Sequence, residues 1–189
     1  MNTLLMVTAL LMFVWAVYAF NRLVRLRNQM RAGWADIDVQ LTRRHDLVPQ
    51  LVAAVKAYAG HERATLETVT ELRNRAASLQ RPQTPDDPGA LGLVETELER
   101  ALGRVLALRE AYPELKANET FARLQENLVE IEDALQYARR FYNGAVRDYR
   151  TGLQRFPDML VGRAAGFAPG EFFQASEEER RASRVELSP

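Results

Sequence analysis

The sequence predicts an all-α protein, an antiparallel four-helix bundle preceded by one N-terminal transmembrane helix. Three observations support this fold class. The first 20 residues carry no charged side chain, although 26% of the whole chain is charged. After them, apolar residues recur every three or four positions, which is the period of one helix face. Prolines divide that pattern into segments, and no segment alternates strictly between apolar and polar over more than four residues.

Residues 1–20 are predicted to be a transmembrane anchor. The stretch Leu4–Phe20 reads LLMVTALLMFVWAVYAF. At ~1.5 Å per residue, roughly 18–20 helical residues span the bilayer core. The four Leu, three Val and two Phe in this stretch favour insertion by about 3–5 kcal/mol. Trp15 and Tyr18 lie near its C-terminal end, where amphipathic rings suit the headgroup level.

The charges that follow the apolar stretch predict its orientation. Four arginines come before the first acid, Asp36, and they are Arg22, Arg25, Arg27 and Arg31. Positive charge stays on the cytoplasmic side of a membrane, so the N-terminus is expected outside and the remainder inside. The alternative is a cleavable signal peptide with Val17–Ala19 as the cleavage site. The anchor is favoured because the segment lacks a basic N-terminal region and has arginines directly after that site.

The first helix of the bundle is predicted to continue the membrane segment without a break. Its apolar stripe consists of Leu23, Leu26, Met30, Trp34, Ile37 and Leu41. Pro49 lacks an N–H donor, so the helix must kink there or stop and restart with Asp46 as a cap. A second helix then extends to about Leu79. Its stripe is predicted to include Leu51, Val55, Tyr58, Leu66, Val69 and Leu72.

Two further helices complete the predicted bundle. Gln80–Gly89 contains three prolines and is expected to be a loop. The third helix starts near Pro88 and ends near Tyr112–Pro113, because the residue before proline resists helical geometry. Asn118 is the expected N-cap of the fourth helix, whose stripe fades at Phe156–Pro157.

The predicted domain organisation follows from these elements. Residues 21–157 form the helical bundle domain, 158–175 a short C-terminal helical segment with a turn of helix over 160–167, and 176–189 a disordered charged tail. The tail is too polar to bury enough apolar area to offset its ordering entropy. One extended coiled coil is the alternative to the bundle, but the prolines and the short second connection favour folding back.

Composition excludes several classes of function. The formal net charge is zero, so no overall positive field attracts nucleic acid. The chain has no cysteine, which excludes disulfides, thiolate zinc sites and a cysteine nucleophile. Phosphate-binding glycine motifs do not occur, and the serines lie at a helix end or in the tail. We therefore predict no catalytic, cofactor-binding or metal-binding residues, and a protein that is not an enzyme.

Neither of the two histidines is predicted to bind a metal ion. His61 and Glu62 begin like a zinc-protease motif, but Thr65 stands where the second histidine ligand is needed. His45 extends the stripe that includes Leu41. It is predicted to be half-buried and bonded to Asp46 or a backbone carbonyl, with a pH-responsive role as the alternative.

The remaining polar residues are predicted to be solvated, ion-paired or part of the core, and not to form a functional site. Asp36 and Asp38 point about 200° apart on a helix, so they are expected to be solvated or ion-paired. Arg139 and Arg140 are expected to pair with Glu132, Asp133 or an acid on another helix. Within 141–149, aromatic and basic residues could stack on nucleic acid, but Tyr142 belongs to the core stripe and Asp148 offsets Arg147.

Two blocks of sequence resemble the LemA family of bacterial membrane proteins. Ala32–Glu62 reads AGWADIDVQLTRRHDLVPQLVAAVKAYAGHE, and Leu108–Pro157 contains YPELKAN and RRFYN. The resemblance extends from Asn21 to about Phe173. It implies a cytoplasmic four-helix bundle on one N-terminal anchor in the bacterial inner membrane. It also implies no established enzymatic activity, and so no catalytic residues.

The sequence therefore leaves two functional hypotheses. The first is a membrane-tethered cytoplasmic interaction or scaffold module. Its partners would be the lipid bilayer through residues 1–20, an unidentified membrane or cytoplasmic protein, or further copies of itself, and not nucleic acid. The alternative is a sensor or enzyme with a polar site between helices, built from His45, Asp36, Glu132 and Arg139.

Overall fold

The computed structural model describes residues 2–80 and 88–173. Every regular element in these ranges is a helix, which confirms the all-α class. The elements are α1 (Asn2–Lys56), α2 (Arg63–Leu79), α3 (Pro88–Ala111), α4 (Pro113–Lys116), α5 (Glu119–Gln154) and α6 (Asp158–Ala164).

Helix α1 contains 55 residues and joins the apolar N-terminus to the rest of the protein. Its residues 2–14 are exposed, and the first buried side chain is Ala19. By length and composition, α1 could cross a membrane. The prediction that the first helix continues the apolar segment without a break is confirmed.

Of the two alternatives at Pro49, the one in which the helix stops and a second helix restarts there is wrong. Helix α1 passes through Pro49 and ends at Lys56, and the break falls at 57–62. Proline cannot donate to the carbonyl four residues earlier, which belongs to His45. The Nε of Arg73, on α2, donates to that oxygen instead, at 3.1 Å. A side chain from another helix therefore replaces the missing bond.

The helix ends around Tyr112 and Asn118 agree with the predictions. Helix α3 stops at Ala111, one residue before Tyr112–Pro113. The side-chain oxygen of Asn118 accepts a hydrogen bond from the backbone N–H of Phe121 at 2.8 Å, so Asn118 caps α5. Between them lies α4, a single turn that was not predicted. Its Leu115 is fully buried and fixes the turn to the core.

Helices α1 and α5 pack antiparallel along most of their length. The Trp34 and Tyr142 rings meet edge to face at 5.5 Å, and further along Arg44 meets Glu132. A Cβ added to Gly33 would lie 3.2 Å from the Tyr142 Cα, so a glycine permits the close approach. The chain therefore folds back on itself, contrary to the extended coiled coil.

Helices α2 and α3 complete the core against this pair. One hydrophobic cluster, remote from the N-terminus, contains residues from five helices, among them Val55, Val69, Leu102, Leu115 and Phe121. A second cluster lies nearer the N-terminus and includes Trp34, Leu91 and Tyr142. Tyr58 was predicted to face the core, but it lies after the end of α1 and is exposed.

The C-terminal segment returns to α1. Helix α6 is followed, in the described residues, by a non-helical stretch that includes Phe173, whose ring is buried 5.9 Å from that of Trp34. The Asn143 side chain forms two hydrogen bonds with the Phe173 backbone, at 3.0 and 3.1 Å. The predicted loop lies largely, and the charged tail wholly, outside the described residues. The division into domains stays a prediction.

Candidate functional site

The most polar part of the interior is an ionic cluster that joins three helices. We use the name ionic cluster for Arg44 and His45 of α1, Glu95 of α3 and Glu132 of α5. Arg44 is fully buried, and its Nη1 donates to Glu132 Oε1 at 2.6 Å. Its Nη2 pairs with Glu95 Oε2, and the other Glu95 oxygen lies 2.8 Å from His45 Nε2. The cluster therefore holds α3 and α5 to the same turn of α1.

The electrostatics of the cluster favour a charged Arg44–Glu95 pair. Burial acts to raise the pKa of Glu95, but the charge of Arg44 and the contact with His45 outweigh it, so this pKa is lowered. Burial acts to lower the pKa of Arg44, but the charges of Glu95 and Glu132 outweigh it, so this pKa is raised. Each residue therefore stabilises the charged form of its partner.

Arg139 lies beside the ionic cluster on α5. Its Nη1 is 3.5 Å from Glu99 of α3, and its guanidinium carbon is 5.2 Å from the centre of the Phe173 ring. Burial and the nearby charge of Arg44 lower its pKa. Of the predicted partners for Arg139, an acid on another helix is the one observed. Arg140 is exposed.

The structure brings together three of the four residues proposed for a polar site. His45, Glu132 and Arg139 converge, whereas Asp36 is exposed on the outer side of α1 and takes no part. The prediction that His45 is half-buried and bonded to Asp46 or a carbonyl is wrong. It is almost completely buried and its partner is Glu95.

Sequence reasoning missed Arg44 and Glu95, although a signal was present. Glu95 follows Val94 and precedes Leu98 by three positions, so it falls on the apolar face of α3. Arg44 follows Leu41 by three positions on α1 in the same way. A lone acid and a lone base on the buried faces of two helices indicate a buried pair, because neither charge can be buried alone.

The remaining polar candidates do not form a site. His61 is exposed, and among the described residues no group of three His, Asp or Glu side chains could hold a metal ion. Asp38 accepts a hydrogen bond from Gln80 Nε2 at 2.8 Å, while Asp36 is exposed. Tyr142 and Tyr149 are buried, so the 141–149 segment does not present them on an open face.

Two surface cavities lie away from the ionic cluster. A groove of about 720 Å³ between α1 and α2 is lined by residues that include Lys56, Arg63 and Glu67. A cavity of about 350 Å³ lies at the other end of the protein, beside Arg150 and Arg163. Since the members of the ionic cluster line neither cavity and bind one another, their arrangement supports a structural role.

Large apolar side chains are exposed on α1 and on α5 at one level of the bundle. Val39 is 55% exposed and Tyr137 is 67% exposed, and the antiparallel pairing places them at the same level. Phe141 of the same helix is also exposed and lies against Gly33. We refer to Val39, Tyr137 and Phe141 as the α1/α5 strip. Tyr137 and Phe141 are one helical turn apart on α5, and neighbouring exposed apolar side chains suit contact with another protein.

Comparison with known proteins gives one family. The model of the LemA family matches residues 33–187, which is most of the chain. Two magnetosome proteins of Paramagnetospirillum magneticum, MamQ 1 and MamQ 2, are each 34% identical over 74 residues. A magnetosome protein MamQ of Magnetospirillum gryphiswaldense is 29% identical over 73 residues. Each match covers 39% of this chain and only 27% of the relative. None of these descriptions gives an enzymatic activity.

Proposed function

This chain belongs to the LemA family, and we propose that it is a single-pass membrane protein whose cytoplasmic helical bundle is an interaction or scaffold module. The observation that carries the proposal is the continuity of α1. One helix passes from a stretch of exposed, almost entirely apolar residues at 4–14 to an amphipathic part in which Ala19 is the first buried residue. An exposed stretch of this length and composition is unfavourable in water and favourable in a bilayer.

We assign the domain the antiparallel four-helix architecture formed by α1, α2, α3 and α5. The shared apolar cluster and the antiparallel α1–α5 pair support it. The anchor would then be the first part of a helix of the bundle and not a flexible tether. A stiff connection fixes the height and tilt of the bundle, and so which surfaces face the bilayer and which face a partner.

The proposed topology places the N-terminus outside and the bundle in the cytoplasm of a bacterial cell. This orientation is supported by the four arginines that follow the apolar stretch, which are Arg22, Arg25, Arg27 and Arg31. Fusion of the full chain to a C-terminal reporter tests it. We expect fluorescence from a cytoplasmic reporter and no activity from an alkaline phosphatase fused at the same position. The opposite pattern would overturn the orientation.

The proposed partner surface is the α1/α5 strip. A photo-crosslinking amino acid at Tyr137, in the full chain in cells, should capture a membrane or cytoplasmic protein or a second copy of this chain. Glu97, exposed on α3, is the matched control position. Deletion of 1–20 should reduce the crosslink at Tyr137, because tethering raises the local concentration of partners. Equal crosslinking at Tyr137 and Glu97 would contradict an interaction through this strip.

A catalytic or sensing site inside the bundle is the competing proposal. The convergence of His45, Glu132 and Arg139 favours it, but each of the three already has a charged partner: Glu132 pairs with Arg44, His45 with Glu95, and Arg139 with Glu99. We therefore assign the ionic cluster to the stability of the fold and propose no enzymatic activity.

A further inference from the structure

The end of α5, helix α6 and the residues after it lie level with the boundary between the anchor and the bundle. A Cβ added to Gly152 of α5 would lie 2.8 Å from Leu26 and 3.3 Å from Leu23. Arg22 donates to Asp158 at 2.6 Å. The Phe20 and Phe167 rings meet edge to face at 5.6 Å. The C-terminal segment therefore packs against one side of α1 just where the predicted span ends.

This end of the protein exposes large apolar side chains. Phe156 is 74% exposed and Leu160 is 53% exposed, whereas Asp158 and Gly162 of the same segment are buried towards α1 and α5. The segment 156–162 thus has one side fixed to the domain and another side on which Phe156 and Leu160 are exposed. In a soluble domain both side chains would be exposed to water, which is unfavourable. Both of them lie level with the anchor.

The same end carries an excess of positive charge. Arg22, Arg25, Arg27 and Arg31 are present without any acid between them. The 145–173 segment adds four arginines against three acids, of which Asp158 is already paired with Arg22. The cavity of about 350 Å³ is lined by Arg150 and Arg163 together with apolar side chains, and the described residues around it include no acid. Anionic lipid headgroups attract such a cationic, partly apolar surface.

We propose that this juxtamembrane surface, defined by Phe156, Leu160, Arg155 and Arg163, is a second membrane-contact site that docks on an anionic bilayer surface. Phe156 and Leu160 enter the headgroup region, and the arginines contact lipid phosphates. The site would hold the bundle down on the membrane in addition to the anchor. This inference rests on the proposed insertion of residues 1–20.

The lack of cysteines permits a direct test with single labels. The full chain is reconstituted in vesicles that contain 30% anionic lipid and lipids with a spin label near the headgroup. A fluorophore is attached to Leu160→Cys or Phe156→Cys. We expect the spin-labelled lipids to quench these fluorophores at least twofold more than one at Tyr137→Cys. Tyr137 is exposed as well, but it is level with Val39, about 28 Å further along α1 from Phe20. Equal quenching at Leu160, Phe156 and Tyr137 would overturn the proposal.

Two further measurements test the insertion of the anchor and the role of anionic lipid separately. A label at Leu10→Cys, measured with lipids that carry the spin label deep in the acyl chain, reports insertion of the anchor itself. If Leu10 is quenched and Leu160 is not, the second contact is wrong and the anchor stands, whereas an unquenched Leu10 contradicts the proposed anchor.

Arg155→Gln with Arg163→Gln should reduce quenching at Leu160 about twofold, and zwitterionic vesicles should have the same effect. The exposed control pair Arg104→Gln with Arg123→Gln should leave it unchanged. If quenching at Leu160 changes neither with the arginine substitutions nor with the lipid charge, the proposed contact with anionic lipid is wrong.

Discussion

Arg44 and Glu95 are both fully buried, and each compensates the charge of the other. The change Glu95→Gln keeps the volume but leaves Arg44 with Glu132 as its only charged partner within the ionic cluster. Removal of one member of a buried pair leaves a charge poorly compensated, so we expect the unfolding free energy to fall by about 3 kcal/mol. Urea unfolding of the full chain in detergent micelles, followed by circular dichroism at 222 nm, measures it.

The exposed pair of Arg43 and Glu130 provides the matched control. Their side chains lie 3.6 Å apart and both are solvent-accessible. Glu130→Gln should change the unfolding free energy by less than about 1 kcal/mol, because water screens exposed pairs. A loss as large as that of Glu95→Gln would contradict the assignment of stability to the buried pair.

The same carboxyl group should make stability depend on pH. The pKa of Glu95 lies below its usual value of 4.5, since the charge of Arg44 and the contact with His45 outweigh the effect of burial. Its contribution is therefore complete above about pH 4.5 and is lost as the pH falls through the lower pKa of the folded state. Melting temperatures of the parent and Glu95→Gln, measured from pH 7 to pH 3, should differ most at pH 7 and converge below pH 4.5. A constant difference would show that Glu95 stabilises by packing alone.

At the scale of the helix, the passage of α1 through Pro49 depends on a neighbouring helix. The carbonyl of His45 loses its usual donor at Pro49 and accepts from Arg73 instead. We expect Arg73→Met to cost about 1–3 kcal/mol in the parent chain, because the carbonyl is left without a partner. Urea unfolding in micelles gives this cost.

A double-mutant cycle separates this bond from the other contacts of Arg73. In a Pro49→Ala background, the new backbone N–H can donate to the His45 carbonyl. Arg73→Met should then cost less, with a coupling of about 1 kcal/mol between the two positions. Strictly additive effects would contradict the account of how α1 remains continuous.

The whole molecule is organised around one long helix that is apolar at its N-terminal end and amphipathic afterwards. The apolar segment favours insertion by about 3–5 kcal/mol, and each arginine near the middle of a span costs about 2.5–3.5 kcal/mol. Leu10→Arg combined with Val14→Arg should therefore release the chain from membranes. Carbonate extraction followed by immunoblotting should show the parent in the pellet and this variant in the supernatant.

The control for that experiment places two arginines on exposed apolar positions elsewhere. Val39→Arg combined with Tyr137→Arg adds the same charge to the α1/α5 strip. This variant should stay in the pellet. Release of both variants would indicate that general charge, and not the anchor, governs membrane retention.

The sequence by itself determined the features that depend on neighbouring residues. The all-α class follows from the apolar period. The end of α3 follows from Tyr112–Pro113, and the start of α5 follows from the Asn118 cap. The candidate span follows from uninterrupted apolar composition. Each of these signals lies within one continuous stretch of chain, so pattern and turn chemistry are sufficient to predict them.

Only the tertiary structure decided the features that join distant parts of the chain. Pro49 interrupts a helix in isolation, but Arg73, 24 positions later, supplies the missing donor. His45 faces Glu95, 50 positions later, and not its neighbour Asp46. Helix α6 reaches the end of the span through Asp158, which is 136 positions from Arg22. Local pattern identifies the face on which such a residue lies. The partner across that face depends on how the helices pack, because burying a charge or an unpaired carbonyl is tolerable only where packing brings a partner to it.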